Sequence, residues 1–317
     1  MVRNDADPRT LRRLAQENDY QLPGLEKAFR LTAILAEIAS DAYLGERLVL
    51  KGGTALNLYE GKMERLSVDA DLNFLGTLDP AQLDAEKKKV FAAIEAIAKE
   101  RSKAWRIDQD SHALRNYILA YDTVNGGSDA LKLDINFLER VTVLPPTRTK
   151  PPTLFEIQGP DVLCLSLTEL AGSKLATMLL RGAARDVFDV ATLDWSRVDE
   201  KLARKVAIFH GFLDNAKLAN FKPERVDALG KKEWDSDVRN LLRKGSEHEL
   251  NKIKERAVQR AKIVLPLDKD ETRCQEALLK GTWDPRLLFG DAKVSADLAE
   301  HPAMKWRLKN PDARLPR

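Results

Sequence analysis

The stretch from Arg47 to Phe74 constrains this chain most. Arg47-Leu48-Val49-Leu50 is a short apolar strand that runs straight into Lys51-Gly52-Gly53-Thr54, and Ala55 to Tyr59 resumes a helical pattern. Val68 to Phe74 then alternates. Val68, Ala70, Leu72 and Phe74 point one way, and Asp69, Asp71 and Asn73 point the other. Paired glycines between a strand and a helix permit positive φ and close backbone approach, so their N–H groups can cradle an anion at the helix start. Thr54 adds a hydroxyl to that turn.

The rest of the chain supplies partners for these strands. Residues 8–45 read as helices, with Leu25, Phe29, Leu31, Ile34, Leu35 and Ile38 at roughly helical spacing. Residues 80–101 read as a charged amphipathic helix that starts at the cap Asp79-Pro80. Residues 116–121 and 131–138 read as further strands joined by the turn Asn125-Gly126-Gly127-Ser128. In the second of these, Leu131, Leu133, Ile135 and Phe137 alternate with Lys132, Asp134 and Asn136. Residues 144–152 hold two pairs of prolines and read as a linker, because proline removes backbone donors and suits neither a helix nor a central strand. Beyond it the pattern is helical over 166–180, 186–194, 198–213, 246–263 and 270–280. The order divides the chain into 1–150, terminal helices plus an α/β core, and 151–317, a helical lobe.

Composition narrows the setting. Fifty-two Lys and Arg stand against 49 Asp and Glu, and the net charge of +3 is too small to identify a nucleic-acid partner by itself. Cys164 and Cys274 match no zinc or redox spacing and are expected to be reduced thiols, with Cys164 buried. No apolar run reaches membrane-spanning length and the N-terminus has no signal-peptide core, so a cytoplasmic protein without a membrane partner is expected. His112, His210, His248 and His301 are scattered and suit neither a zinc site nor a catalytic dyad. Trp283 and Trp306 are expected to pack the C-terminal tail onto the body.

Asp69 and Asp71 at i, i+2 on a strand share one face. That is the arrangement phosphoryl-type transfer needs, with carboxylate oxygens holding divalent metal beside a triphosphate. Hard oxygen donors favour Mg2+ or Mn2+ over zinc. Asp134, on the polar face of another strand, adds a third carboxylate if the two strands are neighbours. An isolated Asp-x-Asp is also what a solvated strand edge looks like; its setting behind the glycine turn raises its specificity. Arg65 precedes the carboxylate strand, and a salt bridge to Glu64 or Glu60 is the alternative to a functional role. Ser67 lies on the Asp69 face, where a phosphate would add about −1.5 to −2 charges.

Lys51-Gly52-Gly53-Thr54-Ala55-Leu56-Asn57 and Arg65-Leu66-Ser67-Val68-Asp69-Ala70-Asp71-Leu72 resemble the first motif of AbiEii-type nucleotidyltransferase toxins. That family lies within the polymerase-β-like superfamily and includes the MenT toxins of type IV toxin–antitoxin pairs. The resemblance continues in Lys132-Leu133-Asp134-Ile135, in Glu169 to Ala176, in Arg185 to Val190, and in the tail segments Trp283-Asp284-Pro285, Leu287-Leu288-Phe289 and His301 to Trp306. It covers roughly residues 45–306.

The resemblance implies an α/β fold: a small mixed β-sheet nucleotidyltransferase core with flanking helices, then a helical C-terminal lobe, with the nucleotide in a cleft between them. It implies an NTP substrate, a divalent metal, a cognate antitoxin and, as in MenT-type relatives, transfer to the 3′ end of tRNA that blocks translation. By motif, Asp69 and Asp71 would be metal ligands and Asp134 a third ligand or base. Gly52, Gly53, Thr54, Arg65 and Ser67 would line the nucleotide. Lys174 would hold the triphosphate, and Asp189 would be the helical-lobe carboxylate, with Asp186 its rival. Read without the resemblance, Lys174 is a snorkelling surface lysine, and Asp186 is a helix N-terminal charge that partners Arg185. A small-molecule or protein acceptor, and a silent binding protein, are the other readings. Lys222 to Lys262 carries 12 Lys and Arg against 8 Asp and Glu. It reads either as a solvated helical face or as a tRNA backbone track using Lys231, Lys232, Arg239, Arg243 and Lys244.

Overall fold

A computed structural model describes residues 7–313. Two compact units result. One takes in the chain through Arg140, Pro146–Cys164 and Asn240–Ser246; the other takes in Val141–Pro145, Leu165–Arg239 and the chain from Glu247 onward.

The first unit is built on a seven-stranded mixed sheet. Its strands are β1 (Leu48–Lys51), β2 (Asp69–Phe74), β3 (Ala104–Asp110), β4 (Leu114–Asp122), β5 (Ser128–Asn136), β6 (Thr147–Thr149) and β7 (Val162–Cys164), in the spatial order β3-β4-β5-β2-β1-β7-β6. The alternation in β2 and β5 has the expected effect. Ala70, Leu72, Leu133 and Ile135 are buried, whereas Asp69, Asp71, Lys132 and Asp134 stay partly open. β2 and β5 run parallel, and β1 runs antiparallel to β2. The β4–β5 hairpin turns through Gly126 and Gly127, both at positive φ as a tight turn requires.

Helices close one side of this sheet. α1 (Pro8–Glu17) packs on α2 (Leu22–Ser40), and α2 lies against β5, β7 and α4 (Pro80–Arg101). The Asp79 carboxylate caps α4 by accepting from Ala81 N at 2.9 Å. Three strands, β3, β6 and β7, were not evident from sequence pattern. β3 (Ala104–Asp110) is an edge strand exposed along nearly its whole length, so its side chains show no buried–open alternation. β6 lies inside the proline-paired stretch expected to be a linker, and it too is an edge strand, the one place in a sheet where neighbouring prolines leave no ladder bond unmade.

The second unit is helical: α5 (Leu167–Arg181), α6 (Ala184–Thr192), α7 (Glu200–Asp214), α8 (Glu224–Asp227), α9 (Lys231–Asp237), α10 (Leu250–Ala261), α11 (Lys269–Leu279), α12 (Pro285–Phe289) and α13 (Pro302–Lys309). α5 packs along α7 and α6, and α6 along α10. Gly182, at φ +64°, ends α5 in the left-handed conformation that favours glycine. The tail is held as expected: Trp283 Nε1 donates to Leu298 O at 3.1 Å, and Arg307, almost wholly buried, donates to five backbone carbonyls from Leu213, Asp214, Asn310, Pro311 and Ala313. His301 is the N-cap of α13, a structural role. Both cysteines are buried free thiols, and burial pushes each up to about 12. No described helix is long and apolar enough to cross a membrane.

Candidate active site

The site begins where β1 ends. Gly52 leaves the strand at φ +71°, and Gly53 and Thr54 open α3 (Gly52–Thr54), which a wider helical turn continues through Ala55–Glu60. Two close approaches require glycine here. A Cβ on Gly52 would lie 2.5 Å from Asp71 Oδ2, and one on Gly53 would lie 2.8 Å from Arg65 Nη2 and 3.2 Å from Ser67 Oγ. The Asn57 side chain donates to Gly53 O at 3.0 Å and pins the turn from within the helix. The Thr54 hydroxyl lies 2.9 Å from Ser67 Oγ and also donates to Asp69 O, so the turn is stitched to the carboxylate strand. Arg65 and Ser67 are both buried. The Arg65 guanidinium donates to Leu66 O at 2.9 Å and packs under Gly53.

The register carries the carboxylates across the sheet. Lys51 pairs with Asp71, Asp71 with Asp134, and Asp134 with Asn116 of β4. Asp69 pairs with Lys132. The strand adjacency on which Asp134 depended is therefore present. The three carboxylates do not stand as one converged set, however. Asp134 lies on the same face as Asp71 but is already engaged, accepting from Lys132 Nζ at 2.8 Å and from Asn116 Nδ2 at 2.5 Å. Among the described residues, no group of three or more His, Cys, Asp or Glu side chains stands ready to enclose a metal ion. Asp69 and Asp71 fit a divalent ion by donor chemistry: two half-open carboxylates on one face, beside backbone that approaches to within a Cβ's width.

The field of the site is legible in Lys132. Burial works against its charge, but the bond to Asp134 and the charges of Asp71 and Asp69 hold its pKa above the ordinary lysine value. Lys51, Glu139 and Asn116 did not stand out in the sequence. Glu139 Oε2 lies 3.3 Å from Lys51 Nζ and 3.5 Å from Asn73 Nδ2, alongside the carboxylate row. Strand register brings Asn116 to the site, and the loop after β5 brings Glu139; no local motif encodes either.

Lys174, Asp186 and Asp189 form a second cluster, within the helical unit. Lys174 Nζ is 2.9 Å from Asp186 Oδ1 and 2.8 Å from Asp189 Oδ2. All three are buried, so Lys174 is not a snorkelling surface lysine. The spacing explains the geometry: Asp186 and Asp189 at i, i+3 share a face of α6, and α5 packs against that helix. Arg181 Nε bonds Asp186 as well, at 2.5 Å, so the cations partnering Asp186 come from α5. Burial works to raise the Asp186 carboxyl, and the charges of Lys174 and Arg181 more than reverse it, holding it below the ordinary carboxylate value.

A family profile described as nucleotidyl transferase AbiEii toxin, type IV toxin–antitoxin system, matches residues 33–260. No curated protein sequence matches the chain significantly. Among solved structures the chain is similar to MenT4, a nucleotidyltransferase toxin from Mycobacterium tuberculosis, at 17% identity and a TM-score of 0.62, over 85% of this chain and 93% of that one. JHP933 from Helicobacter pylori matches at 18% identity and a TM-score of 0.49, over 82% of this chain and 98% of that one. The MenT4 likeness concerns the fold, a mixed sheet with flanking helices. The profile spans most of the chain and includes the glycine turn, the Asp69–Asp71 strand, Asp134 and the Lys174 cluster: the chain belongs to the AbiEii nucleotidyltransferase toxin family of type IV toxin–antitoxin systems.

Proposed function

We propose that this nucleotidyltransferase moves a nucleotide from an NTP to the 3′ end of tRNA in a reaction dependent on Mg2+ or Mn2+, thereby blocking translation, and that a cognate antitoxin restrains it in the cytoplasm. The observation that carries the reading is the seating of Asp71 against the Gly52 backbone, with Asp69 beside it on the same strand face. Glycine backbone and two carboxylates thus lie close together, which supports a triphosphate bound with metal there.

The terminal hydroxyl of the acceptor attacks the α-phosphorus. The bond to the bridging oxygen breaks, and pyrophosphate leaves. Asp69 and Asp71 would hold the divalent ion, which would supply charge stabilisation for the displacement. Gly52 and Gly53 receive the phosphates through backbone N–H groups, and Thr54 and Ser67 hold that turn in register with Asp69. Arg65 supports Gly53 from below. Asp134, engaged by Lys132 and Asn116, serves as the base that accepts the hydroxyl proton. The family resemblance supports nucleotide-handling roles for Lys174 and Asp189, with Asp186 fixing the lysine between them.

Incubation with labelled NTPs, divalent metal and bulk tRNA tests the reading. Label on tRNA that disappears with chelator is expected. Label on a small molecule or protein, with none on tRNA, would overturn the acceptor assignment.

A further inference from the structure

On β4 and β5 the sheet has one buried face and one open face, and the edge strand β3 is exposed on both. On β4 and β5, Tyr117, Leu119, Leu131 and Leu133 are buried on the helix-covered side. The opposite side, which carries Asp69, Asp71 and Asp134, stays open across β5, β4 and β3. Register arranges it in rows. Ala104, Ala120 and Ala130 form one row, and Arg106, Ile118, Lys132 and Asp69 form the next. The Arg106 and Lys132 side chains are 63% and 43% exposed, and Ile118, Ala120 and Ala130 are half-open. Neighbouring strands lie about 4.8 Å apart, so this surface extends roughly 14 Å from Asp69 to Arg106.

We infer that this open face of β5, β4 and β3 is where the 3′-terminal strand of the RNA acceptor lies; the inference rests on the acceptor reading above. In-line displacement puts the attacking hydroxyl and the leaving pyrophosphate on opposite sides of the α-phosphorus. The glycine turn, where the phosphates are received, lies on the β1 side of the carboxylates. The hydroxyl therefore arrives from the other side, over β5 and β4. Away from the carboxylates, toward β3, this face gives way to small and apolar side chains and the exposed Arg106. The alanine row raises no side chain against a ribose–phosphate chain, and Ile118 offers an apolar contact to a base. Arg106 offers a planar cation that can stack on a base or fork onto phosphate. Its partner is Asp108 on the same exposed strand, and exposed pairs of this kind hold weakly enough to exchange for phosphate.

Arg106→Glu and Ala120→Trp test this, since both positions are open and neither substitution enters the core. KM for bulk tRNA and KM for the NTP are measured separately, with melting temperature as a check on folding. Each variant is expected to raise the tRNA KM about tenfold, with the NTP KM unchanged. An unchanged tRNA KM in both variants, while the wild-type protein labels tRNA, would overturn the inference and leave the proposed function standing. An equal rise in NTP KM would assign this face to the donor nucleotide instead and overturn it likewise. Failure of the wild-type protein to label any tRNA would remove the acceptor reading and this inference with it.

Discussion

Gly52 and Asp71 occupy adjoining space so closely that a single added carbon would collide: a Cβ at position 52 would lie 2.5 Å from Asp71 Oδ2. Gly52 also stands at φ +71°, where an L side chain is strained in any surroundings. Gly52→Ala is therefore expected to cost about 1–3 kcal/mol in backbone strain and to displace the Asp71 carboxylate. Chemical denaturation and transfer assays on the same preparation measure both. Wild-type transfer in Gly52→Ala would show that the close approach is dispensable.

Asp69→Asn and Asp71→Asn keep side-chain size but remove the charge. Both positions are half-open, so folding should be retained. Transfer should fall by about a hundredfold or more, because the lost charge matters most in the transition state. Single-turnover rates with melting curves decide this, and full activity in either variant would remove Asp69 and Asp71 from the site.

Ser67 is buried and shares a hydrogen bond with Thr54 against the glycine turn. Ser67→Asp should weaken NTP binding about tenfold by placing a negative charge beside the phosphate-receiving turn, whereas Ser67→Ala should have a much smaller effect. A nucleotide-binding titration of the two variants separates charge from the loss of one hydrogen bond. Equal effects would argue that the hydroxyl alone matters.

Lys174→Met leaves the buried Asp186 and Asp189 without their shared cation. A destabilisation of about 3–5 kcal/mol is expected, as for one partner removed from a buried ion pair. Urea unfolding measures it, and a change too small to resolve would mean that the cluster relaxes or hydrates.

The same cluster sets a pH dependence. The folded pKa of Asp186 lies below the ordinary 3.8, so in the interval between the two values the unfolded chain binds more protons. The stability it contributes is complete above the ordinary value and is lost as pH falls through the folded one. The advantage of the wild type over Asp186→Asn in melting temperature should persist from neutral pH down to about pH 4 and shrink below that. An advantage that vanished already near neutrality would contradict the depressed pKa.

Much of the fold was legible because its signals are local. The alternation in β2 and β5, the cap at Asp79-Pro80, the glycine pair before α3 and the helical periods after residue 165 each depend on residues within one element. What escaped notice lacks such a signal. β3 is exposed on both faces and so lacks a buried–open alternation, and β6 pairs despite the prolines that flank it because it too is an edge. Asn116 and Glu139 have no motif: strand register brings Asn116 to the carboxylates, and Glu139 reaches Lys51 from the loop after β5.

The sequence by itself determined which residues could do chemistry here: two carboxylates at i, i+2 must share a strand face, and a glycine pair between strand and helix must admit positive φ. Tertiary structure decided what those groups meet. Parallel pairing of β2 with β5 set Asp71 level with Asp134, and gave that third carboxylate Lys132 and Asn116 as partners. Packing of α5 against α6 buried Lys174 between Asp186 and Asp189. The difference is one of range. Backbone sterics and side-chain alternation act over a few residues and can be read along the chain. The partners of a buried charge are chosen by strand pairing and helix packing across tens of residues, where desolvation makes an unpaired charge too costly to keep.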